Sequence, residues 1–125
     1  MPSKIQRIRI SSGAIAADGT ATAYSSPIAG KILAIAIDYP AATCTVDIDT
    51  DGELSAQKII DLAAANVDRV VYPRTQIHDY TGTGVEYANT YEIYEPFVVN
   101  GRLKLSIASG TARQTVTVDV LYEAY

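Results

Sequence analysis

The chain contains no tryptophan, and cysteine, methionine, phenylalanine and histidine occur once each. With Cys44 alone, no intrachain disulfide can form and no zinc site can be built from cysteines. With His78 alone, only one side chain has an unperturbed pKa near neutrality, which is poor material for paired acid–base work in a pocket. No G-x-S-x-G elbow or other nucleophile context accompanies it. Long apolar runs are missing too: none reaches the roughly 18–20 residues that span a bilayer as a helix. The N-terminus lacks the continuous apolar segment of a secretory leader. Charge is sparse, at 19% of residues, and its balance of −4 lacks the concentrated positive charge that nucleic-acid binding requires. These absences lead us to expect a non-enzymatic protein made in soluble form in a cytoplasm, with no cofactor, nucleic-acid or membrane partner.

What the chain does have is β-forming material. Isoleucine, valine, threonine, alanine and tyrosine dominate, and 48% of residues are hydrophobic. β-Branched and aromatic side chains suit a pleated, half-buried surface. At 125 residues the chain has the length of one ordinary domain, able to bury roughly two-thirds of its unfolded surface. Short alternating runs recur between turn residues. Ile8 and Ile10 alternate with Arg7 and Arg9; Leu103, Leu105 and Ile107 alternate with Arg102, Lys104 and Ser106; Val116, Val118, Val120 and Tyr122 share one face. Cys44 falls at an inward strand position, where a thiol acts as a small hydrophobe. The segment 32–37 is apolar on both faces, which places it centrally or at an interface. Asp18-Gly19 and Asn100-Gly101 each read as a hairpin turn. Residues 61–68 read as a loop, and residues 74–90 as a long irregular stretch of the kind that carries function.

The pattern predicts an all-β, single-domain, antiparallel β-sandwich of about eight or nine short strands, wound like a jelly roll. Residues 1–12 form a basic N-terminal arm or an edge strand, and residues 13–125 form the sandwich domain. In the arm reading, deleting 1–12 leaves the domain folded.

Four groups of residues could carry function. Lys4, Arg7 and Arg9 stand in an acid-free segment, which is either a solvated strand face or a contact with an acidic neighbour. The stretch YPRTQIHDYTG gathers Tyr72, Arg74, His78, Asp79 and Tyr80; its polar side chains suit a loop tied to its own backbone. The segment DIDTDGE resembles the start of a calcium loop, with Asp47, Asp49, Asp51 and Glu53 as weak candidate ligands. The twelfth position, however, is Lys58 where a bidentate glutamate belongs. Finally, nine tyrosines are present, with Tyr72, Tyr80, Tyr87, Tyr91 and Tyr94 in or beside the irregular stretch. Such amphipathic rings suit interfaces or a carbohydrate-binding face, and also the open ends of a sandwich.

YPRTQIHDYTG, YEPFVVNGRLKLSIASG, the closing TVTVDVLYE and the upstream GKILAIAIDY together resemble small virion proteins of tailed bacteriophages, encoded near the major capsid protein. The resemblance covers roughly residues 28 to 123. It implies a head decoration or cement protein on the capsid exterior, made in the host cytoplasm, which binds the major capsid protein and forms a homo-oligomer, with a trimer favoured. A head–tail joining or tail-associated protein is the alternative in the same setting, and a carbohydrate-binding module the alternative from another class.

Overall fold

The computed structural model describes residues 4–87 and 91–125, excluding the side chains of Tyr87, Tyr91 and Glu92. Twelve strands run along it. They are β1 (Lys4–Ser11), β2 (Ala21–Tyr24), β3 (Ile28–Asp38), β4 (Cys44–Asp51), β5 (Lys58–Ala65), β6 (Arg69–Val71), β7 (Arg74–Gln76), β8 (Glu86–Tyr87), β9 (Tyr91–Glu92), β10 (Tyr94–Pro96), β11 (Val98–Ala108) and β12 (Thr117–Ala124). Eight belong to one folded-over sheet in the order β1-β12-β3-β11-β4-β5, with β2 also on β11 and β6 also on β3. The other four are short and form two small ladders, β7 with β10 and β8 with β9. All pairs are antiparallel.

The fold-over lies in β11. Its first part, Val98–Gly101, pairs with β3, and the rest, Arg102–Ala108, pairs with β4. The two halves then share one core. Ile10, Ile32, Ile35, Ile37, Val118 and Val120 from one half join Cys44, Val46, Ile48, Leu103, Leu105 and Ile107 from the other. The all-β sandwich expected from alternation is therefore present, and the inward positions of β11 and β12 are the ones the period of two selects. The strand order does not establish jelly-roll winding.

Asn100-Gly101 is no hairpin. Both residues lie inside β11, and Gly101 has φ +149°, an opened-out conformation unlike the left-handed turn that the dipeptide favours. Non-local pairing with β3 and β4 overrides the local signal. Asp18-Gly19 does turn: Gly19 has φ +84°, and Asp18 Oδ1 accepts from the Thr20 amide at 3.1 Å. Only its second arm becomes a strand, however, because Ile15 is 2% exposed and joins the core, and β2 pairs with β11. Residues 61–65, expected to be a loop, continue β5 along β4.

The both-faces-apolar pattern of β3 has a specific cause. The register with β12 steps from Leu121↔Ala34 to Tyr122↔Ile32, so Leu33 is an extra residue, a β-bulge. The bulge lets Ile32 and Ile35 both point inward and turns Ala34 and Ala36 outward. At the other end of β3, Gly30 lies so close to β12 that an added Cβ would fall on the Glu123 carbonyl oxygen.

Residues 4–12 follow the edge-strand reading and are not a detachable arm: β1 stands at the end of the sheet order. β1 pairs with β12 along its whole length, Ile10 is buried, and Ser12 Oγ accepts the Val116 amide at 3.0 Å. Removing this segment would open the core.

Two buried polar groups give a contrasting test. Ser25 Oγ accepts the Leu103 amide at 2.8 Å and donates to the Ser26 carbonyl at 2.8 Å. The Tyr39 hydroxyl is buried with no hydrogen-bond partner among the described residues. Ser25→Ala strands a buried donor and should cost about 1–3 kcal/mol. Tyr39→Phe removes an unsatisfied group and should be neutral or stabilising. Urea denaturation of both variants checks this, and a Tyr39→Phe loss as large as that of Ser25→Ala would refute it.

Candidate functional site

Beyond Pro73 the described chain leaves the core, and Phe97 returns to pack against it. No residue from Arg74 to Val98 whose side chain is described is buried. This segment is a forked arm. Its stem is β7 with β10, in the register Tyr94↔Gln76, Glu95↔Thr75 and Pro96↔Arg74. Beyond the stem three backbone bonds close a ring: Ile77 N–H to Ile93 O at 2.9 Å, Ile93 N–H to Val85 O at 3.1 Å, and Val85 N–H to Ile77 O at 2.9 Å. One branch leaves the ring through the His78↔Gly84 bridge, and the other through β8 and β9.

The first branch is held by its own polar groups. Asp79 Oδ1 accepts from the Thr81 amide at 2.9 Å, the Thr81 hydroxyl at 2.6 Å and the Thr83 amide at 3.1 Å. The Thr81 hydroxyl bond, followed by the backbone bonds, lowers the Asp79 pKa. Tyr80 sits on this pinned turn and is 100% exposed. At the base, Arg74 Nη1 donates to the carbonyls of Leu33 at 3.1 Å and Pro73 at 2.7 Å, so the bulge on β3 is also the arm's anchor. Arg74 and Asp79 tie the arm as their residue types suggest. His78 is exposed and takes part through its backbone bridge to Gly84. Tyr94 is 52% exposed on the stem, while the side chains of Tyr87 and Tyr91 lie outside the described residues.

The basic residues lie elsewhere. Lys4, Arg7 and Arg9 are exposed on β1. Arg9 grips Asp119 across the β1–β12 ladder, Nε to Oδ1 at 2.7 Å and Nη2 to Oδ2 at 3.0 Å. The Arg9 hydrogen bond holds the Asp119 carboxyl below its usual pKa. Two adjoining hollows occupy the outer face between β1 and β6. One, of about 640 Å³, takes in Arg9, Asp38, Asp68 and Arg69. The other, of about 370 Å³, has Ala34, Ala36 and Leu121 with Val70, Tyr72 and Arg7 around them. Tyr72 therefore belongs to the hollow and not to the arm. The sequence reading missed the alanine floor because Ala34 and Ala36 face outward only once the bulge at Leu33 is known.

The four calcium candidates do not converge. Asp47, Asp49 and Asp51 follow one another along the outer face of β4, and each meets a different neighbour. Asp49 pairs with Lys58 at 3.2 Å, Asp51 with Arg102, and Glu53 Oε2 accepts from Gln57 Nε2 at 3.0 Å. Arg102 also stacks on the Tyr24 ring, 4.0 Å from its centroid. Among the described residues no group of three or more His, Cys, Asp or Glu side chains could hold a metal ion.

Asp47 differs from its neighbours on the ladder. Its strand partner is Asp61, and its Oδ1 is buried with no hydrogen-bond partner among the described residues. Burial, then the contact with the Asp61 carboxyl and their mutual repulsion, push the Asp47 pKa up; Lys58 opposes this and Asp49 adds to it. A raised folded-state pKa means that the folded protein holds this proton more tightly than the unfolded chain. Its stabilising effect is complete below the ordinary value of 3.8 and is lost as pH rises through the folded value. Asp47→Asn should therefore stabilise the protein at pH 7, by about 0.2–1 kcal/mol, with the advantage shrinking toward acid pH. Urea melts of both proteins from pH 7 down to pH 4 measure it, and a variant less stable at pH 7 would contradict the assignment.

No protein-family model matches the chain, and no curated protein matches its sequence.

Proposed function

We propose that the chain is a non-enzymatic structural protein of a tailed-phage virion, a decoration or cement protein that binds the major capsid protein on the capsid exterior and reinforces the lattice. Two lines support this reading. The motifs of residues 28–123 resemble that group of proteins, and the surface is organised for docking. The observation that carries it is the forked arm. A segment in which no described side chain is buried is nonetheless fixed by a hydrogen-bonded ring and an aspartate-pinned turn, and it presents Tyr80 fully exposed. Such preorganisation lowers the cost of ordering a contact surface on binding. The basic strand β1 offers a second element, with Lys4 at its outer end.

A protein of this kind should co-sediment with capsids assembled without it and appear as added density on their outer surface in a particle reconstruction. Lys4→Glu should leave folding intact and weaken attachment several-fold at low salt, with the difference closing at high salt, as expected for a rim charge. Wild-type protein that stays in the supernatant at every salt concentration would overturn the reading.

A further inference from the structure

The smaller hollow beside β1 has the makings of a receptor for an aromatic group flanked by acid. Its floor comes from Ala34, Ala36 and Leu121, with Val70 and Tyr72 on the β6 side and Arg7 on the β1 side. The register explains why it is open. The cross-strand row Arg7, Leu121, Ala34 and the row Arg9, Asp119, Ala36, Val70 each pass from long side chains on β1 to alanine on β3. Asp119, which also lines the hollow, is taken by Arg9 and feels the Arg7 charge from farther off; among the described residues no carboxylate forms an ion pair with Arg7. Tyr72 and Val70 are 66% and 53% exposed, so their apolar surfaces lie bare at the rim.

The chain itself carries the complement. Between Arg74 and Arg102 it has Asp79, Glu86, Glu92 and Glu95 and neither lysine nor arginine; between Met1 and Ala17 it has Lys4, Arg7 and Arg9 and no acid. The acidic segment is the forked arm, and the basic one is the strand that walls the hollow. Tyr80, directly after Asp79, is held out on a turn whose backbone is already fixed. It does not fill the hollow of its own chain, since it is wholly exposed.

We propose that this hollow receives the Tyr80 branch of a second copy of the chain, with the tyrosine ring on the alanine floor beside Tyr72 and Arg7 facing the arm's carboxylates. The contact is head-to-tail: arm on one copy, hollow on the next. Such a contact joins copies into a ring where the rotation closes. This deepens the oligomeric part of the decoration reading, yet it is measured on the protein alone, so its failure and a failure to bind capsids are separate results.

Sedimentation velocity of the full chain, across a concentration series at low and high salt, tests it with two surface variants. Wild type should associate, more tightly at low salt. Tyr80→Ser spoils the arm and keeps the hollow; Arg7→Glu spoils the hollow and keeps the arm. Each should weaken self-association by about tenfold or more, the scale of loss seen when an aromatic or arginine anchor is removed, with circular dichroism unchanged. Mixed together, the two variants retain one intact contact per pair and should form dimers that grow no further. A wild type that is monomeric throughout, variants that associate like wild type, or a mixture that does not pair would each overturn the proposal.

Discussion

The structure depends on one strand serving both halves of the sandwich. β11 pairs with β3 up to Gly101 and with β4 beyond it, so both halves of the sandwich hang from a single continuous backbone. Leu103, Leu105 and Ile107 on its inner side are buried in the shared core. Each such side chain, fully buried, is worth roughly 1.5–3 kcal/mol. Losing β11 would remove the core's middle and the link between the halves together. Few of the ladders join neighbours in sequence: β1 pairs with β12, β3 with β12, and β11 with β2, β3 and β4. A topology so rich in distant pairings has much loop closure to complete before its contacts reward it, which places it among slow-folding architectures.

The fold class was legible because period-two alternation reports burial directly. Val116, Val118, Val120 and Tyr122 all point inward, as do Leu103, Leu105 and Ile107. What could not be read was anything that depends on a distant partner. Asn100-Gly101 is a turn dipeptide by local chemistry, yet two neighbouring strands claim it for a ladder. The alanines of β5 look like loop or helix, but the edge of β4 supplies the bonds that make them strand. A one-residue bulge at Leu33 inverts the facing of Ala34 and Ala36, and no residue type announces it. The candidate site was half legible. Composition flagged the basic strand and the tyrosine-rich segment, and the side chains of Arg74 and Asp79 tie the arm. That Tyr72 belongs with Arg7 around a hollow, while Tyr80 belongs to a branch, follows only from pairing.

The two outer faces of the sandwich are finished differently. Over β4, β5 and β11, Asp49 meets Lys58, while Arg102 meets Asp51 and the Tyr24 ring, so that face largely neutralises itself. The Asp47–Asp61 pair breaks the pattern. Over β1, β12, β3 and β6, alanine takes the place of longer side chains, and the charges gather at the margins. A face that spends its charges on one another has little left for a partner; a face floored with methyl groups and rimmed with arginine is one on which a partner would remove water from apolar surface.

The ring formed by Ile77, Val85 and Ile93 has a consequence for how this arm can vary. Each of the three residues donates one main-chain bond and accepts one within the ring, so register at the fork is fixed by backbone atoms that every residue except proline possesses. The joint asks little of the three ring side chains; its one side-chain demand is at Gln76, whose Nε2 donates to the Val85 carbonyl at 3.4 Å and whose side chain leaves no room for a Cβ at Gly84. Residues at the tips can be exchanged, lengthened or shortened while the stem and the sandwich stay in place, much as loops on a rigid scaffold diversify. The arm is in this sense a socket for interchangeable ends: the core can be retained while the surface offered to a neighbour changes.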